Sequence, residues 1–177
     1  LVVDIQILLP YYPIVNNKLR DIDMPNHTQN TLELTGDYET VMAFVDQMGQ
    51  HMDFEKVIAP PKNMFRENLT LDDKERCARE GVPTWYDWQC ENWGTKWNAY
   101  LTEEVAVEEF PDRLTTATYR FQTAWDAPRL VIAAIIKQNP DIEVSGGYVL
   151  EGYEGCGSFY GMDESFLDQL GLGASDA

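Results

Sequence analysis

Four of the five tryptophans in this chain fall between Trp85 and Trp97, and a segment that crowds so much aromatic surface has to be sheltered from water. A buried indole also needs a partner for its N–H. The chain must therefore build a packed core with polar groups placed inside it. With 44% hydrophobic residues, among them 9 Tyr and 7 Phe, it has the material to do so. An acidic chain stays unfolded only when aromatic and aliphatic residues are scarce, so the net charge of -17 does not imply disorder. At 177 residues one domain is expected.

The 30 acidic residues against 13 basic ones give a summed field that repels nucleic-acid phosphates and anionic membranes. Direct nucleic-acid or membrane binding is not expected. No apolar run reaches the roughly 18–20 residues that a membrane span requires. Cys77, Cys90 and Cys156 are odd in number and lack C-x-x-C spacing, which implies neither a disulfide framework nor a zinc site and fits a reducing cytoplasm. The apolar start, Leu1 to Leu9, lacks a basic leading region, carries Asp4 and is followed by no small-residue cleavage site, so export is not expected. Met24-Pro25-Asn26-His27 reads like a bacterial start. We therefore expect an upstream extension over 1–23, one folded unit over 24–160 with an insertion at about 61–92, and a flexible tail over 161–177.

Periodicity orders the rest. Thr28 to Thr35 ends in alternating leucines and reads as a strand. Asp37 is placed to cap a helix reaching Met48, since Val41, Phe44, Val45 and Met48 follow i, i+3, i+4, i+7. Phe54 to Ala59 reads as a second strand stopped by Pro60-Pro61. Thr70 opens a helix to about Arg79, and Trp85 with Trp88 suggests a short one. Alternation from Trp97 through Tyr100 to Val107, and again from Thr115 to Trp125, predicts a hairpin joined near Pro111-Asp112. Asp126-Ala127-Pro128 starts a helix with Leu130, Ile132, Ala133, Ile135 and Ile136 on its apolar face, ending near Asn139-Pro140. A last strand spans Ile142 to Tyr153, with Gly146-Gly147 as a bulge. The order predicts an α+β fold: a ferredoxin-like, split β-α-β antiparallel sheet with helices on one face and an inserted helical, Trp-rich segment.

The block Asn92-Trp93-Gly94-Thr95-Lys96-Trp97-Asn98, with Trp125 further on, admits two readings. Trp93, Trp97 and Trp125 can pack together as a core corner. Alternatively they line a pocket whose polar handles are Asn92, Thr95, Lys96 and Asn98. Base stacking is disfavoured, because Asp87 and Glu91 outnumber Lys96 there. Glu103, Glu104, Glu108, Glu109 and Asp112 cluster in the predicted hairpin. That cluster is either a solvated edge that resists aggregation or a negative surface for a basic partner. If the hairpin and the last strand share one side of the sheet, their carboxylates sum.

Catalytic templates find little. Only His27 and His51 are present, so Ser-His-Asp and Cys-His arrangements lack candidates and no catalytic residue is assigned. His51 reads as a surface turn residue. His51-Met52-Asp53 with Glu55 matches no metal-site pattern, and no metal or cofactor is expected. The Gly152 to Gly157 run lacks the lysine of a phosphate loop, and Cys156 has no cation nearby in sequence to activate it.

Met24-Pro25-Asn26-His27 with Asn30, Phe54 to Pro61, Asn92 to Tyr100, and Phe121 to Pro128 together resemble the YubB-like proteins of conjugative plasmids and phages. The likeness covers about Met24 to Phe159. It departs at Ala59, where a bulkier residue is expected, and at Asp126-Ala127-Pro128, where the family tends toward Ser-Pro-Pro. The resemblance implies a ferredoxin-like domain in a cytoplasmic protein of a mobile element, with no catalytic residues to carry over. Two functions are then in view. One is an acidic, non-enzymatic protein that binds a basic host protein, such as a defence nuclease, in the anti-CRISPR or anti-restriction manner. The other is a small-ligand binder or enzyme built on the tryptophan block.

Overall fold

Strict alternation of buried and open side chains along His27–Asp37 makes this segment the central strand β1, with Thr28, Asn30, Leu32 and Leu34 turned inward. The computed structural model describes residues 26–111, 113–153 and 155–159. Asp112, the upstream extension, Met24-Pro25 and the tail lie outside the described residues.

Helix α1, Tyr38–Met48, follows at once, capped by Asp37 and closed at Gly49. It buries Val41, Phe44, Val45 and Met48, the stripe its spacing predicts. Helices α2, Leu71–Glu80, and α3, Trp85–Trp93, come next. Strands β2, Ala106–Glu109, and β3, Leu114–Ala124, form the hairpin, then helix α4 covers Arg129–Gln138. Strands β4, Glu143–Leu150, and β5, Cys156–Ser158, follow. The five strands form one antiparallel sheet in the order β2-β3-β1-β4-β5.

Side chains at every second position meet on one face, where Leu32 and Leu34 join Ala117, Tyr119, Phe121 and Val144. Residues of α1 and α4, including Phe44, Val131, Ile132 and Ile135, complete that core. The Tyr119 phenol is buried there and donates to Gly49 O at 3.0 Å, and burial pushes its pKa well up. The opposite face of β1 and β3 is left polar, with Thr31, Glu33, Thr35, Thr116, Thr118, Arg120 and Gln122. Among the described residues no helix is long and apolar enough to cross a membrane.

Several expectations need correction. Phe54 to Ala59 is no strand: Phe54–Lys56 is a turn of 3-10 helix capped by Asp53. The amides of Val57 and Ile58 both reach back to Phe54 O, at 3.1 and 2.9 Å, which uses them up locally. The strand predicted from Trp97 starts late. Tyr100 exchanges two backbone bonds with Gln122 (3.0 and 2.8 Å), but Leu101 then takes φ 45° and the regular pairing resumes only at Ala106. On α4, Val131 is buried, whereas Leu130 and Ile136 of the predicted apolar face are only partly covered. Gly146-Gly147 is not a bulge, for the β1–β4 register runs unbroken from Thr28↔Leu150 to Thr35↔Glu143.

Helices α1 and α2 both begin on titratable caps. The Thr40 hydroxyl and amide donate to Asp37 at 2.6 and 3.0 Å. At α2 the Thr70 hydroxyl and amide donate to Asp73 at 2.6 and 3.2 Å. These bonds hold both carboxyls below their ordinary range, and in each case the threonine hydroxyl is the largest cause. A carboxyl whose folded pKa is depressed adds stability that is complete above its unfolded pKa and is lost as pH falls through the folded one. We therefore expect the first turns of α1 and α2 to loosen below about pH 4. A double variant, Asp37→Asn with Asp73→Asn, should show a shallower acid-side fall of the thermal midpoint; curves that stay parallel to wild type down to about pH 2 would refute the assignment.

Candidate interaction surface

Helix α3 ends at Gly94, which adopts a left-handed φ of 76° and turns the chain back across the molecule. The turn divides the tryptophan block into an inner and an outer half. Trp93 goes inward and is fully buried. Its indole N–H donates to Ile58 O at 3.0 Å, and the rings of Phe54 and Trp88 meet it edge to face at 5.7 and 5.4 Å. Thr95 is also buried and donates to Ala124 O at 2.9 Å. Asn98 Oδ1 accepts from the amides of Phe54 and Ala99, both at 2.8 Å, while its Nδ2 donates to Asp53 Oδ1 at 2.8 Å. Asn92 donates to Trp88 O at 2.8 Å and lines a shallow groove with Ile58, Leu130 and Ala134. Of the predicted pocket residues, Trp93, Thr95 and Asn98 are thus committed to holding the fold.

The outer half gathers around Lys96. Its ammonium lies 5.0 Å from the Trp97 ring centre and 4.6 Å from that of Trp125, within cation–π range of both. Trp125 is 39% exposed and is held at φ 74°, a conformation rare for a bulky side chain. The aromatic contacts extend in both directions. Tyr86 meets Trp125 edge-on at 6.4 Å with the Lys74 ammonium 5.4 Å from its ring, and Trp97 meets Tyr100 at 6.0 Å. Tyr100 in turn exchanges a 2.8 Å hydrogen bond with His27 Nδ1, and burial followed by the charge of Glu151 raises its phenol pKa. The single core corner of Trp93, Trp97 and Trp125, one of the two readings of the sequence, is therefore divided into two groups, one core and one surface. Cys90, on α3, has its thiol pKa raised by burial and then by Asp87, which keeps it a poor nucleophile.

The acidic residues lie at the sheet margin. Glu103, Glu104, Glu108 and Glu109 are all exposed, and β2 is an outermost strand. Glu103 sits 4.0 Å from the Arg120 guanidinium, and its backbone carbonyl lies 3.2 Å from His51 Nδ1, so His51 is a surface residue as its sequence position suggests. The register places Glu108 opposite Thr116 on the polar face and Glu109 opposite Thr115 on the helix side. The carboxylates therefore flank the edge from both faces. Summation with the last strand fails, because β4 and β5 lie across the sheet from β2.

Two features escaped the sequence. Val107, Phe110 and Leu114 stand 38%, 45% and 42% exposed around the hairpin end. On the polar face, two adjoining depressions share Gln29 and Gln122 and run from His27 and Glu151 to Glu103 and Arg120. Alternation carried a signal for the second, since from Gln29 to Thr35 and from Thr116 to Gln122 every residue off the core face is polar; the first depends on which strand ends the sheet. The chain matches no family model, no curated protein and no solved structure.

Proposed function

We propose that this chain is a non-enzymatic acidic binding protein whose β2 margin takes up a partner with a basic surface. The observation that carries the reading is the placement of Glu103, Glu104, Glu108 and Glu109, all exposed, along the outermost strand and the segment leading into it, in a chain with 30 acidic and 13 basic residues. Such a field speeds encounter with a cationic surface and disfavours polyanions. The strand order β2-β3-β1-β4 supports a split β-α-β, ferredoxin-like sandwich in which α2 and α3 are inserted and β5 is appended. In the mobile-element setting that the YubB-like resemblance implies, the partner class is a cytoplasmic nucleic-acid-binding nuclease of host defence.

The test is a binding measurement with a purified basic nuclease of the host at about 50 and about 500 mM salt. Exposed ion pairs contribute roughly 0.2–1 kcal/mol each, so replacing all four glutamates by glutamine should weaken binding about fourfold or more at low salt and leave little difference at high salt. Equal affinity of the variant and wild type at low salt would overturn the reading. A second reading, a small-ligand site or enzyme, draws on the ring contacts of Trp97 and Trp125 with Lys96; it predicts a bound small molecule whose release changes tryptophan fluorescence and is insensitive to the four glutamates.

A further inference from the structure

The backbone of β2 offers more than charge. In an antiparallel pair, alternate residues turn their N–H and C=O groups toward the partner strand and away from it. Phe110 N–H bonds to Leu114 O at 2.8 Å, so the pairs two and four residues back, Glu108↔Thr116 and Ala106↔Thr118, are the ones that bond to β3. Val107 and Glu109 must then direct their amides and carbonyls outward, at the sheet margin. All four residues of β2 are exposed. An outward ladder of this kind, bordered by the half-open apolar side chains of Val107, Phe110 and Leu114, is a template for an added strand.

Resting on the acidic-binding reading above, we propose that β2 binds its partner by strand addition, accepting an extended basic segment along Val107 and Glu109. Charge complementarity selects the occupant. Glu108 projects on the polar face and Glu109 on the helix face, so an incoming strand meets a carboxylate on each side and favours lysine or arginine at neighbouring positions with an apolar residue beside Val107. A second copy of this chain paired antiparallel about Glu108 would set that carboxylate against its own copy, with Glu109 opposite Val107, and like charges across a strand pair repel.

The experiment uses the full chain and a fluorescently labelled eight-residue peptide with a central Lys-Lys-Val, so that lysines can face Glu109 and Glu108 while valine faces Val107, with the same peptide carrying proline at every second position as control. Val107→Pro removes an outward amide while leaving the β3-facing bonds of Ala106 and Glu108 in place, a position where an edge strand tolerates proline. Strand addition predicts saturable anisotropy with the first peptide only, a loss of about tenfold or more in Val107→Pro, and slowed hydrogen exchange at the Val107 and Glu109 amides of wild type when peptide is bound. The exchange measurement decides the matter even if the proline variant does not fold. No binding, or binding without protection of those amides, overturns strand addition. Affinity that falls in the four-glutamine variant but not in Val107→Pro does the same while leaving the acidic-surface reading intact. A wild-type dimer that Val107→Pro abolishes would instead make a second copy the occupant and overturn the proposal.

Discussion

Replacing Trp93 by alanine should lower the thermal midpoint by roughly 10 °C or more, the largest loss expected from any single side chain of the aromatic block. Trp93 is fully buried, among Phe54 and Trp88, and its N–H satisfies Ile58 O at 3.0 Å. Truncating a buried tryptophan costs about 3–5 kcal/mol. The carbonyl left without its donor adds about 1–3 kcal/mol. A domain of this size shifts by about 2–4 °C for each kcal/mol. Trp125→Ala is the comparison: its ring is 39% exposed and its main link is to the Lys96 ammonium at 4.6 Å, worth about 0.5–1 kcal/mol at an exposed site. Thermal melts followed by circular dichroism separate the two. If Trp93→Ala melts within about 2 °C of wild type, or if Trp125→Ala loses more, the division into inner and outer halves is wrong.

That division shows where sequence reasoning stops. The spacing of Val41, Phe44, Val45 and Met48 is enough to place α1 and its buried face, because the helical period alone decides which side chains share a side. The capping pair Thr70 and Asp73 marks α2 in the same local way. Phe54 to Ala59 misleads because a short apolar run carries no period of its own. What holds it is Asn98 Oδ1, 44 residues away, accepting the Phe54 amide at 2.8 Å. The tryptophans are equally opaque. Which ones are buried follows from the left-handed turn at Gly94 and the strained backbone at Trp125, and neither is written in the spacing of the rings.

The candidate site is half legible. Charge and turn residues place Glu103, Glu104, Glu108 and Glu109 together and exposed. Their position on a margin depends on β1 lying between β3 and β4, a long-range pairing that no segment encodes alone. The same pairing separates the hairpin from the carboxylates of Glu143 and Glu151 and so confines the strongest cluster to one margin.

Gly146→Ala is the change we expect the sheet to tolerate least. A Cβ at this position would overlap Thr31 O and stand 3.0 Å from Thr31 C, and the backbone holds φ at 106°. Both obstacles are main chain of the central strand, which cannot swing aside as a side chain would. Relief requires β4 to part from β1, and with it the inward-facing Val144 and the ring of Tyr148 that meets Phe159 at 5.9 Å. We expect a loss of more than about 4 kcal/mol, in the range reserved for clash and strain within a core. Gly147→Ala provides a graded control: its Cβ would meet Gly157 O at 2.5 Å, so the damage falls on the short margin strand β5 and leaves β1–β4 paired. A glycine that merely held a left-handed bulge conformation would cost about 1–2 kcal/mol on replacement by alanine. Denaturant melts of the two variants therefore discriminate between the readings. A Gly146→Ala protein within about 2 kcal/mol of wild type, or one less damaged than Gly147→Ala, would show that the close approach of β1 and β4 does not require a missing side chain.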